Sequence, residues 1–241
     1  MTSADGIGPG RRVRAWVAER AANTGRPVSM SVLCETAMLR LGISGVTLTI
    51  ELPAGWPETR HATDGLGARL AELQLTVGEG PCLDVWPEGG PVLVPTLDEA
   101  AIQHRWPMFT PLAVEAGAGA LFALPMAIGT IRVGVLALHR VRAGHLTAAG
   151  VAESLAFAEL ALQLQLDQQA GPRTTEAAGL QLHAPQVHQA TGMISAQLNV
   201  SLKEAFSRLR ARAFADQRPL AELAADVVAR RLRFDTEGGA S

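Results

Sequence analysis

Eight basic side chains lie between Ser201 and Arg233: Lys203, Arg208, Arg210, Arg212, Arg218, Arg230, Arg231 and Arg233. Against them stand Glu204, Asp216, Glu222 and Asp226, so the segment carries 8 − 4 = +4 in a chain whose formal net charge is −2. An arginine guanidinium is a planar fork of donors that grips phosphate and stacks flat on unpaired bases. A basic segment joined to an acidic remainder points to contact with a polyanion, and nucleic acid fits that chemistry best. Arg208 and Arg212, four residues apart, share one side of a helix. Arg230, Arg231 and Arg233 also complement the negative end of a helix, so the helix dipole alone accounts for part of that cluster.

Other side chains with chemical potential do not assemble into a reaction centre in the sequence. Cys34 and Cys82 suggest neither a disulfide framework nor a zinc site. Cys82, in GEGPCLD, reads as a small residue at a turn-to-helix junction rather than as an activated thiol. The histidines at 61, 104, 139, 145, 183 and 188 lack metal-ligand spacing such as HxxxH. Gly78 to Pro81, GEGP, has two glycines but not the Lys-Ser/Thr of a phosphate-binding loop. Glu79 and Asp84 flank that turn, and a catalytic pair would need them to converge in space. The expectation is a protein without enzymatic activity, bound metal or resident cofactor.

Composition sets the frame. The 241 residues are 48% hydrophobic and 18% charged, a globular balance sufficient for two modest domains. No apolar run approaches the roughly 18 residues a membrane helix needs, and MTSADGIGPGRR lacks the apolar stretch of a signal peptide, so a cytoplasmic protein is expected. Tyrosine is absent and aromatic content is 4%, which leaves arginine as the main candidate for nucleic-acid contact.

The elements that must position these residues follow from periodicity. Helices are predicted from Arg11 to Ala22 and Val28 to Leu41, then a half-buried strand where Val46, Leu48 and Ile50 alternate with Thr47 and Thr49. Asp64 can cap a helix through Leu66, Leu70 and Leu73 that stops at the Gly78 turn. A strand at Val92 to Val94 and a helix from Phe109 to Ala116 follow. Two β-like runs, Ala120 to Ile128 and Ile131 to Leu138, then form a hairpin. Thr147 opens a long helix to about Gln168, whose apolar stripe could pack on the sheet or join two chains. Strands broken by helices without βαβ alternation indicate an α+β fold with an antiparallel sheet, and argue against a phosphorylatable receiver domain.

AGPRTTEAAG, Ala170 to Gly179, reads as a linker. Beyond it come three short helices. Val187, Ala190, Ile194 and Leu198 share one face of the first, which Asn199 can end in a left-handed conformation. Gly192 in its middle suggests close packing against another helix or close approach by a ligand backbone. Ser201 to Glu204 is a capping box, Leu202, Ala205, Phe206, Leu209 and Ala213 form the second stripe, and Pro219 starts the third helix, with Leu220, Leu223, Ala224, Val227 and Val228 inward.

These residues carry a resemblance. The QATG run Gln189 to Gly192, the NVSLKEAF run Asn199 to Phe206, then Leu209, Arg210, Ala213, Leu220, Ala224 and Val228, resemble an ANTAR domain, the three-helix RNA-binding module of bacterial antitermination regulators. Many members carry Lys where this chain has Thr191. Leu70 to Trp86, LAELQLTVGEGPCLDVW, with Pro91 to Pro95 and the later hairpin, resembles a GAF sensory domain of the kind joined to ANTAR modules in actinobacteria. The GAF resemblance implies a six-stranded antiparallel sheet and a possible small-ligand pocket of unknown ligand.

The organisation expected is a GAF-like sensory domain with N-terminal and signalling helices at 1–169, a linker at 170–180, an ANTAR RNA-binding domain at 181–235 and a disordered tail at 236–241. The expected partners are leader-transcript hairpins and a second copy of the chain in a homodimer. Gln189, Thr191, Gln197, Arg208, Arg210, Arg212 and Arg218 are the candidate RNA-binding residues. Three short helices also fit a ligand-responsive DNA-binding regulator, or a module that binds only protein.

Overall fold

The computed structural model describes residues 8–51, 57–129, 131–170 and 185–234. The chain begins with helices α1 (Pro9–Thr24) and α2 (Met30–Leu41), followed by strands β1 (Gly45–Glu51) and β2 (Pro57–Ala62). Helices α3 (Gly65–Val77) and α4 (Pro81–Glu88) lead to the short strand β3 (Val92–Val94). Then come α5 (Ala100–Arg105), α6 (Phe109–Glu115), the hairpin of β4 (Ala120–Ile128) and β5 (Ile131–Arg140), and the long helix α7 (Ala148–Ala170). The described strands form one antiparallel sheet of five in the order β2-β1-β5-β4-β3. The expected α+β class is thus the observed one, with five strands among the described residues where the resemblance implied six.

Side-chain alternation explains why this sheet has two cores. Val46 and Leu48 of β1, Leu136 and Leu138 of β5, and Phe122, Leu124 and Met126 of β4 face α1, α2 and α7. The intervening Leu121, Ala123, Val135 and Ala137 face a second cluster with Leu70, Leu73, Val85, Trp106 and Phe109. Strands covered on both sides read as nearly continuous apolar runs, which is how β4 and β5 appear in the sequence. Of the expected α7 stripe of Val151, Leu155, Ala158, Leu162 and Leu166, Ala158 and Leu162 are buried with Phe157 and Ala161 against α1, α2 and β4, whereas Val151 and Leu166 are half-buried and Leu155 is exposed.

Strand β2 was not expected. It opens on a proline, carries Glu58, Arg60 and His61, and pairs only with β1, as an edge strand can. Helix α5 was also missed, and α4, expected only as the start of a helix at Cys82, was given no extent; at six and eight residues they are too short to show a period. The expected linker falls partly in α7, which extends to Ala170, and otherwise lies outside the described residues, as does the 236–241 tail.

The C-terminal bundle consists of α8 (Pro185–Leu198), α9 (Leu202–Ala215) and α10 (Leu220–Val228) around Ala190, Ile194, Phe206, Leu209, Leu223 and Val227. The Ser201 hydroxyl caps α9 by accepting from the Glu204 N–H at 3.2 Å, while the Glu204 carboxylate turns to Arg208. Past each helix the backbone turns through a left-handed residue that is not glycine: Asn199 (φ 51°), Gln217 (φ 52°) and Arg230 (φ 59°). Gly192 departs from expectation. It is exposed, and a Cβ built there would meet nothing within 4 Å, so helix packing does not require it.

Gly134 of β5 is required by the sheet itself, because a Cβ there would lie 2.4 Å from the Thr49 carbonyl oxygen of β1. That atom is backbone and cannot step aside. Gly134→Ala should cost about 1–3 kcal/mol, as overpacking does. Urea unfolding measures this, and wild-type stability would show that β1 and β5 part without penalty.

Candidate nucleic-acid interface

The seven expected contact residues meet different fates. Gln189 is exposed on α8. Thr191 is fully buried, and its hydroxyl donates to the Val187 carbonyl at 2.7 Å, so it stabilises α8 from inside and offers nothing to a macromolecule outside. Its β-branched methyl suits the core. Gln197 is exposed, and its Oε1 accepts from the Phe234 N–H at 3.2 Å.

The arginines are largely neutralised by their own bundle. Arg208 lies 3.1 Å from Glu204 and Arg212 2.7 Å from Asp216, both one helical turn apart. Arg218 reaches Asp226 at 2.7 Å, and Arg231 takes the other oxygen of the same carboxylate at 2.6 Å. Hydrogen bonding from Arg218, then from Arg231, holds the Asp226 carboxyl below its ordinary range, while Asp226 raises Arg218. Ion pairs near the surface hold their partners weakly, so a phosphate can displace the carboxylates.

Arg210 is held differently, and by the first domain. Its Nε donates to the Thr76 carbonyl at 3.4 Å, and its guanidinium covers Gly78, where a Cβ would fall 1.7 Å from one of its nitrogens. Burial lowers its pKa. Gly78 has φ 81° and ends α3, so the turn of the GEGP motif also forms the slot for this arginine. Leu75, one turn earlier on α3, packs against the bundle core. Sequence periodicity could not reveal this joint, because Leu75 simply reads as one more apolar residue of an amphipathic helix.

The first domain offers little internal room. On the α3 side of the sheet, Thr47, Thr49, Gln74, Cys82, Trp86 and His139 surround a cavity of about 30 Å³, space for about one or two waters. The Gln74 amide fills it, accepting from the Cys82 N–H at 2.7 Å and donating to the Leu70 carbonyl at 3.2 Å. Burial pushes the Cys82 thiol up to about 11 and the Cys34 thiol to about 12, so neither is poised as a nucleophile. Glu79 accepts from the backbone N–H groups of Met108 and Phe109, and Asp84 binds Arg105 at 2.7 Å and the Trp106 indole at 3.1 Å. Both carboxylates thus serve structure. A larger cleft, 320 Å³, lies between the domains, lined by Glu58, Leu75, Val187, His188, Phe206 and Leu220.

His139 is buried on β5 with Nε2 3.2 Å from Asp64, whose other oxygen caps α3 by accepting from the Gly67 N–H. Burial lowers its pKa, and Asp64 only partly offsets this. The folded state therefore favours neutral imidazole, while the unfolded chain takes up a proton near pH 6.5. Stability should be complete above about pH 6.5 and fall as pH drops below it. The melting temperature of wild type between pH 7.5 and 5.5 should decline more steeply than that of His139→Gln, and parallel profiles would count against this account.

Residues 183–228 match the ANTAR domain family. No curated protein matches the chain. Among solved structures, the GAF domain of a phosphoenolpyruvate-protein phosphotransferase from Coxiella burnetii is similar at 14% identity, with 67% of this chain and 96% of that one covered and a TM-score of 0.49. A domain of a putative two-component sensor histidine kinase from Sinorhizobium meliloti aligns at 18% identity over 57% of this chain and 90% of its own, TM-score 0.46. The second GAF domain of DevS from Mycobacterium smegmatis aligns at 14% over 58% and 93%, TM-score 0.41. Likenesses this distant carry no functional information. The family match nevertheless falls on the bundle: α8 to α10 form the stretch similar to the ANTAR domain, carried behind an α+β domain built on an antiparallel sheet.

Proposed function

We propose that this chain is a signal-responsive regulator whose ANTAR bundle binds hairpin loops in a nascent leader transcript. Binding stabilises an antiterminator arrangement, a competing terminator hairpin does not form, and transcription proceeds. The observation that carries this reading is the ANTAR match over residues 183–228, on a folded bundle that presents arginines along α9. In the proposed complex Arg208, Arg212 and Arg218 exchange their carboxylates for phosphates, and Gln189 and Gln197 approach loop bases. Two loops would be matched by two copies of the chain.

The first domain supplies the control. While α3 grips Arg210, that side chain is withheld from RNA, so a signal that shifts α3 changes the affinity of α9. The 320 Å³ cleft between the domains is large enough to hold the small molecule that delivers such a signal, whereas the cavity inside the sheet domain is not.

Two measurements test this reading. Purified protein titrated against a labelled two-hairpin RNA, with loop-scrambled RNA and duplex DNA as competitors, should show loop-dependent binding that weakens with salt. Equal affinity for scrambled RNA, or preference for duplex, would overturn it. Gly78→Asn keeps the left-handed turn but evicts Arg210, and should raise RNA affinity about fivefold or more. Unchanged affinity would mean that α3 masks nothing that RNA uses.

A further inference from the structure

The segment's surplus charge is not where its arginines are densest. Arg208, Arg212, Arg218 and Arg231 are ion-paired within the bundle, and Arg210 is held by α3. Like Lys203, Arg230 and Arg233 have no carboxylate partner among the described residues, and both are exposed. They converge with Met193, Ala196, Gln197 and Phe234 on an open cleft of 460 Å³ between α8 and the chain that follows α10.

Each wall of this cleft has a property that suits a nucleotide. Phe234 is half-buried, and its backbone N–H is fixed to Gln197 Oε1, which settles the amide orientation. The Gln197 NH₂ is then left as a donor pair with no partner among the described residues. Arg230 stands at the left-handed position after α10, where glycine is the default and a larger residue costs about 1 kcal/mol. The exposed Gly192, one turn before Ala196 on α8, leaves the helix backbone open beside the cleft.

We infer that this cleft is a nucleotide site for an unpaired loop residue of RNA. Arg230 and Arg233 hold the flanking phosphates, the Phe234 ring carries the base, and the Gln197 amide donates to the base edge. The assignment rests on the RNA-binding reading above and names the part of the bundle that delivers it. Unpaired cations release counterions on meeting phosphate without first losing a carboxylate, so these two arginines contribute more to affinity than the paired ones.

The test uses the full chain and a hairpin RNA with an unpaired loop, together with the same hairpin carrying an abasic loop. Arg230→Asn, which keeps the left-handed turn, combined with Arg233→Gln should weaken loop binding at least about tenfold and lower the salt slope by about 1.4, two single-strand phosphates at about 0.7 each. Arg231→Gln, an equal kind of charge loss at a residue already paired with Asp226, should change affinity less than about twofold. Phe234→Leu should weaken binding to the normal loop and leave binding to the abasic loop unchanged, as loss of stacking requires. Affinity and salt slope in the double variant equal to those of Arg231→Gln would overturn the cleft while leaving RNA binding intact. Failure of wild type to bind either RNA would instead remove the RNA reading and the cleft's assignment with it.

Discussion

Helix α3 belongs to two hydrophobic cores at once, and the relation between the domains depends on that sharing. Leu70 and Leu73 are buried under the sheet, while Leu75 packs on the bundle. A helix offers separate faces to two neighbours because its residues advance about 100° each, so positions two apart point to different sides. Everything that joins the domains among the described elements lies near this helix: the seat of Arg210, the cleft beside Glu58 and His188, and the packing of α9. Moving α3 relative to the sheet would expose Leu75, and moving α9 relative to α3 would release Arg210 into solvent. Both motions change how much apolar surface and how much charge the bundle shows.

Much of this architecture was legible in the sequence. The alternation in β1, the β4–β5 hairpin, the Asp64 and Ser201 caps, and the stripes of the three bundle helices each rest on a local rule, overridden at single positions: Leu202 of the α9 stripe is exposed, and Thr47, on the expected polar side of β1, is buried. What escaped notice had no local signature. Strand β2 is polar because it lies at an edge, and α5 and the extent of α4 involve too few residues to display a period. Thr191 looked available because threonine is polar, yet the helix carbonyl four residues back satisfies its hydroxyl inside the core. Gly192 looked like a packing residue and faces open space.

Charge counting located the basic segment but could not say which of its cations act at a distance. An arginine bonded to a carboxylate one turn away presents a dipole to its surroundings, and the field of a dipole falls off faster than that of a lone charge. The helical spacing that makes Arg208 and Arg212 look like a cooperating pair also places Glu204 and Asp216 within their reach. Arg230 and Arg233, which a helix dipole could have explained away, keep their full charge among the described residues.

The left-handed residues after α8, α9 and α10 are Asn199, Gln217 and Arg230, none of them glycine. Side chains at these corners restrict the conformations open to the backbone, where glycine would have allowed many. The bundle's corners are therefore stiff, and its helices cannot easily swing on them one at a time. In the regulation proposed above, a shift of α3 would reach the bundle through Leu75 and Arg210 as a displacement of a single body, changing its orientation while preserving the spacing of its surfaces.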